Sequence, residues 1–135
     1  MRHGSATAVV VGGLLVGTLA AISLDIGQAD IAGDVRVIDG DTIELAGERI
    51  RLDAIDAAEL HGDCYAETVL ADAAKRRLSE LFAGNHAVDV QRHGTDIYGR
   101  TLARVTVNGQ DVATVLLGEG LVAPWEGYRA DWCHG

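Results

Sequence analysis

The 135-residue chain has little cysteine, proline or basic charge. Two cysteines are too few for a disulfide-framed mini-scaffold and too few for a four-cysteine zinc site. A single proline beside 17 glycines and 48% hydrophobic residues excludes collagen-like and disordered chains. Eleven Lys and Arg against 20 Asp and Glu leave a net charge of −9. That excludes a general basic clamp on nucleic acid, so any such function needs a local site. After residue 34 there are no repeats or low-complexity linkers, and the length suits one domain.

The N-terminus is the first positive signal. Arg2 precedes the uncharged run from Ala6 to Leu24, and Asp25, Asp30 and Asp34 follow it. A basic start, an apolar stretch and an acidic exit form the pattern of a signal peptide or membrane anchor. A buried core helix fits less well, because the run offers water no polar face. Its length suits a membrane span through residues 6–24, while Gly27-Gln28-Ala29 is an acceptable small-x-small cleavage site. Both fates stay open. Residues 1–29 are therefore expected to be a signal peptide or anchor. Residues 30–135 are then the working domain, secreted, periplasmic or membrane-held, outside the cytoplasm.

Within 30–135 the hydrophobic period is two at first. Val35-Arg36-Val37 enters a tight turn at Asp39-Gly40, and Thr42 to Leu45 leaves it. After Ala46-Gly47-Glu48, residues Arg49 to Ile55 alternate, with Ile50, Leu52 and Ala54 on one face and Arg49, Arg51 and Asp53 on the other. From Ala66 to Phe82 the period becomes helical, with Leu70, Ala73, Ala74, Leu78, Leu81 and Phe82 on one face and Gly84 placed to end the helix. Ala87 to Val90 and Arg100 to Val107 read as two more strands, the second stopped by Asn108-Gly109. Asp111 can cap a short helix over Val112 to Leu117. The expected fold is mainly β with helices (α+β): a five-stranded OB-fold Greek-key barrel, one long helix between strands 3 and 4, and a short C-terminal helix.

Three short acidic or mixed clusters lie at strand ends. Asp39-Gly40-Asp41-Thr42 alone is an ordinary hairpin turn, and it lacks the third ligand and closing Glu of an EF-hand loop. The run from Arg51 to Glu59 ends a strand with carboxylates, which alone are usually solvated. Asp96-Ile97-Tyr98-Gly99-Arg100 is a hairpin turn that delivers an arginine into a strand. Together they hold what phosphodiester hydrolysis needs: charge neutralisation at the phosphoryl oxygens and an oriented water. Asp41 and Asp56 could hold a divalent cation, Arg51 and Arg100 a phosphate, and Glu59 could serve as base.

The strings VIDGDTIEL, RIRLDAIDAAEL and DIYGRTLARVTVNGQDVATVLLGEGLV, in this order over about residues 34–123, resemble the staphylococcal nuclease (thermonuclease-like) family. The resemblance implies an OB-fold barrel that hydrolyses DNA and RNA with Ca²⁺, breaking the bond to the 5′ oxygen and leaving 3′-phosphate ends. By position, Asp41 and Asp56 match the calcium carboxylates, and the backbone carbonyl of Ala57 matches a further ligand. Glu59 matches the general base or water-orienting group, Arg51 and Arg100 the phosphate-contacting arginines, and Tyr98 an aromatic of the nucleotide pocket. A non-catalytic OB-fold module that binds nucleic acid or another ligand is the alternative.

The chain also departs from the family pattern. Ala57-Ala58 replaces a proline-containing pair before Glu59, which loosens the loop that carries it. Ile97 stands where a lysine is common, and His61-Gly62-Asp63-Cys64 replaces a basic loop. The residues beyond Leu121 are too few for the family's final helix. Weak, salt-sensitive substrate binding is expected.

In an exported protein Cys64 and Cys133 read as a disulfide, and some short family members carry cysteines at these places. Such a bond ties the tail, with Trp125, Tyr128 and Trp132, back near the site. The alternatives are free thiols, or a zinc set of His61, Cys64, Cys133 and His134, in which adjacent Cys-His ligands are geometrically awkward. His86 and His93 are expected at the surface or a strand edge. Trp125 and Trp132 could stack bases, but are expected to plug an open barrel end.

Overall fold

The computed structural model describes residues 12–13, 30–31, 34–84 and 87–135. The apolar run at 6–24 (Gly12 and Gly13 apart), the small-residue site at 27–29 and His86 lie outside the described residues. Among the described residues, no helix is long and apolar enough to cross a membrane.

The elements are β1 (Asp30–Ile31), β2 (Val35–Asp39), β3 (Thr42–Leu45), β4 (Glu48–Leu52), β5 (Ile55–Asp56), α1 (Tyr65–Phe82), β6 (Ala87–Thr95), β7 (Thr101–Val107), β8 (Gln110–Asp111), α2 (Val112–Gly118) and β9 (Ala123–Pro124). β2, β3 and β4 form the expected antiparallel meander. Its second turn needs two successive left-handed residues, Ala46 and Gly47, the backbone that suits a two-residue hairpin. β6 and β7 make a long hairpin whose register shifts between Arg92 and Gly94, and β7 lies parallel to β4.

The main sheet runs β1-β6-β7-β4-β3-β2, with β8 added to β7. The five longer strands are the five expected ones. The two ends of the path, β1 and β2, follow one another in sequence, but among the described residues no ladder joins them, so the sheet is not closed there. The mixed α+β architecture is as expected, with one long helix between β5 and β6 and a short one after β8.

The third expected strand is cut short. β4 stops at Leu52, Asp53 and Ala54 turn, and Ile55–Asp56 leave for a separate two-stranded sheet with Ala123–Pro124. Ala54, expected on the core face, is exposed, and Ile55 is buried instead. The turn reverses the alternation that a continuous strand would keep. The long helix begins one residue early, and its buried line is Ala71, Ala74, Leu78 and Phe82, with Leu70, Ala73 and Leu81 half-buried beside it. That line packs on the meander at its tightest point. A Cβ on Gly40 would stand 2.7 Å from the Ala74 Cβ and 2.9 Å from the Ala57 Cβ. Ile43, Ile50, Leu52, Val88, Val105 and Leu116 complete one core. Asp111 caps α2 as expected, accepting from Ala113 N at 2.9 Å. After α2 the tail has no helix, only β9 and turns.

Candidate active site

The β2–β3 turn, the end of β4, the loop after β5, the β6–β7 turn and the tail surround one cavity of about 640 Å³. All the candidate side chains, Asp41, Arg51, Asp56, Glu59, Tyr98 and Arg100, line it.

Gly40 lets α1 approach so closely that Asp41 is only 8% exposed. Its Oδ1 accepts from Thr42 Oγ1 at 3.0 Å, and its Oδ2 accepts from Ala57 N at 3.0 Å. The Ala57 peptide is therefore set directly against this carboxylate. Asp56, 4% exposed, accepts from Ala130 N at 2.9 Å. Between them lies Arg51, whose Nη2 is 3.7 Å from Asp41 Oδ2 and 3.8 Å from Asp56 Oδ1. Those separations are beyond hydrogen-bond range, so the guanidinium offsets both charges without being locked to either. Its Nη1 donates to Leu52 O at 3.1 Å, and the Trp125 ring lies 4.9 Å from its Cζ. Trp125 thus covers an arginine of the site.

Asp39, not singled out from the sequence, also lines the cavity and accepts from Asp41 N at 3.1 Å. Burial, then the hydrogen bond and negative charge of Asp41, push its carboxyl up to about 7. Three aspartates with one arginine make a hard, oxygen-rich corner with surplus negative charge. Carboxylate oxygens are the donor type a calcium ion takes.

Arg100 is aimed by its own turn. Asp96 Oδ1 accepts from Tyr98 N and Arg100 N at 2.9 Å each, and its Oδ2 accepts from Arg100 Nε at 2.7 Å. Burial pushes Asp96 upward, but these N–H groups and the guanidinium outweigh it and hold the carboxyl below the usual range. The Tyr98 ring is exposed and lies 5.5 Å from the Arg100 Cζ.

Glu59 sits in the proline-free loop, with Ala57 and Ala58 both buried. Two further residues hold it that the sequence reading missed. Glu67 on α1 accepts from Glu59 N at 3.3 Å, and Arg129 Nη2 lies 3.4 Å from Glu59 Oε1. Glu67 had a signal: it is the third helical residue, where an acid reaches back to the N–H groups before the helix. Arg129 had none locally. The tail that brings it is joined by the Cys64–Cys133 disulfide, with a Cα–Cα distance of 6.0 Å. Both sulfurs are thereby spent on each other, which closes the free-thiol and zinc alternatives. His93 is half exposed, its Nε2 lying 3.5 Å from Asp53 Oδ2.

Set beside known proteins, the chain belongs to the staphylococcal nuclease homologue family, whose model matches residues 49–131. It is 33% identical over 125 residues to the succinoglycan biosynthesis protein ExoI of Rhizobium meliloti (strain 1021). That match covers 88% of this chain but only 64% of the relative's length.

Proposed function

We propose that the protein is a calcium-dependent nuclease that hydrolyses phosphodiester bonds of DNA, RNA or both by in-line attack of water. The convergence of Asp41, Asp56, Arg51, Arg100 and Glu59 on one cavity carries this reading. Asp41 and Asp56, with the Ala57 carbonyl, would hold the ion, which supplies positive charge to the phosphoryl oxygens when bound. Arg51 and Arg100 neutralise the charge that grows on those oxygens. Glu59, the most exposed of the carboxylates here, takes or steers the proton of the water. Tyr98 offers an exposed ring to a base. The family supports this class of chemistry, and the disulfide supports a place outside the cytoplasm, where such bonds persist. Membrane attachment through residues 6–24 is part of the proposal if that segment is retained.

The test is cutting of single-stranded DNA by the full chain with Ca²⁺ or chelator, beside Glu59→Gln. Calcium-dependent cutting that Glu59→Gln reduces to a small residual rate is the expected result. Absence of cutting by the folded, disulfide-intact protein, with binding retained, would replace the enzyme by an OB-type binding module.

A further inference from the structure

The nuclease reading leaves open how Glu59 is aimed, since its side chain is 55% exposed and no proline stiffens its loop. Behind that loop is Glu67, only 4% exposed. Its Oε1 accepts from Glu59 N at 3.3 Å, and its Oε2 accepts from Asp63 N at 2.8 Å. The loop closes so tightly on this carboxylate that a Cβ on Gly62 would meet its atoms at 2.6 Å. This buried carboxylate also faces a cation. That cation is Arg129, whose Nη2 lies 3.4 Å from Glu67 Oε1 and 3.4 Å from Glu59 Oε1. One nitrogen therefore couples a fixed buried acid to an exposed working one. The backbone around it is held on both sides of the site: Ala130 N donates to Asp56 Oδ2, and Cys133 is bonded to Cys64 ahead of α1.

We propose that Arg129 is a positioning residue, placed by Glu67, that aims the Glu59 carboxylate into the cavity. It does through charge what a proline would do by stiffening the loop. The inference rests on the nuclease reading, with Glu59 as the group that handles the water.

The test reads kcat and KM separately on the full, disulfide-intact chain with calcium and single-stranded DNA. Arg129→Gln is expected to lower kcat about 10- to 100-fold, the scale of a misplacement near 1 Å, with KM within about two-fold. Arg129→Lys, which keeps the charge, recovers part of the loss. Glu67→Gln, which keeps an acceptor but removes the charge that holds Arg129, lowers kcat in the same way. On the residual rate of Glu59→Gln, adding Arg129→Gln costs nothing more, because the effect runs through Glu59. A merely structural role would subtract equally from both backgrounds, and that result would overturn the proposal. So would a raised KM with unchanged kcat, which would make Arg129 a phosphate contact. Cutting by Glu59→Gln at the unaltered rate would remove Glu59 as the group that handles the water, and this inference with it. Cutting that needs Glu59 but ignores Arg129 would remove this inference alone.

Discussion

The two arginines expected to meet phosphate are held differently, and their substitutions should separate. Arg100 is steered by Asp96 in an exposed turn, so little of the core depends on it. Arg100→Ala is expected to reduce turnover by at least about 100-fold while the circular dichroism spectrum and unfolding midpoint stay put. Arg51 is 9% exposed and is the cation set between Asp41 and Asp56. Its removal leaves two buried carboxylates uncompensated, a change that costs about 3–5 kcal/mol in comparable buried pairs. Arg51→Ala should therefore lose stability as well as activity in urea unfolding. Added Ca²⁺ should return part of that stability, because it supplies the missing charge to the same oxygens. Insensitivity of the Arg51→Ala midpoint to calcium would speak against a metal at Asp41 and Asp56.

At the scale of elements, the site depends on how closely α1 sits on the β2–β3 turn. Gly40 is the residue that permits it, since any side chain there would collide with Ala74 and Ala57. Gly40→Ala must push the helix from the turn that carries Asp41, or move the loop that carries Asp56 and Glu59. A loss of about 1–3 kcal/mol is expected from overpacking. Activity should fall further than stability alone explains, and comparing the two below the unfolding transition checks this. The β6–β7 turn is a contrasting case. It is locally determined: Asp96 binds the N–H groups of Tyr98 and Arg100, and Gly99 takes the left-handed conformation at φ 79°.

For the whole molecule, the disulfide joins residues 69 apart and fastens a tail with no helix of its own. Closing a loop of that size restricts the unfolded chain by about 4 kcal/mol in the chain-entropy model. Reduction should lower Tm by more than about 10 °C in calorimetry with and without dithiothreitol, at the scaling usual for a domain of this size. A Tm that ignores the reductant would mean that the strap adds no stability. The net charge of −9 works against a polyanion, and the cavity, lined by Arg49, Arg51, Arg100 and Arg129 beside four carboxylates, offers it local positive groups. With only Arg51 and Arg100 assigned to phosphate, raising salt from 50 to 200 mM should raise KM about 10-fold, far less than for a basic clamp. A flat salt response would argue that substrate binding does not use these arginines.

Much of this was legible in the residues. Local signals determined the meander, both helices, the Asn108-Gly109 stop and the Asp111 cap, because each rests on neighbours in sequence. The polar groups of the site were legible too, since Asp41, Arg51, Asp56, Glu59 and Arg100 stand at or just beyond strand ends, although the pairing of β4 with β7 and of β5 with β9 is what brings them to one cavity. The break at Asp53-Ala54 was not, because the partner that draws Ile55–Asp56 away is Ala123–Pro124, far along the chain. Trp125 over Arg51, and Arg129 between Glu59 and Glu67, were hidden for the same reason. The sequence by itself determined which elements form and which chemical groups the protein owns, as matters of local propensity and composition. Only the tertiary structure decided where the tail lies and which acid each cation serves, because pairing across long loops depends on the packing and the disulfide that bring those loops together.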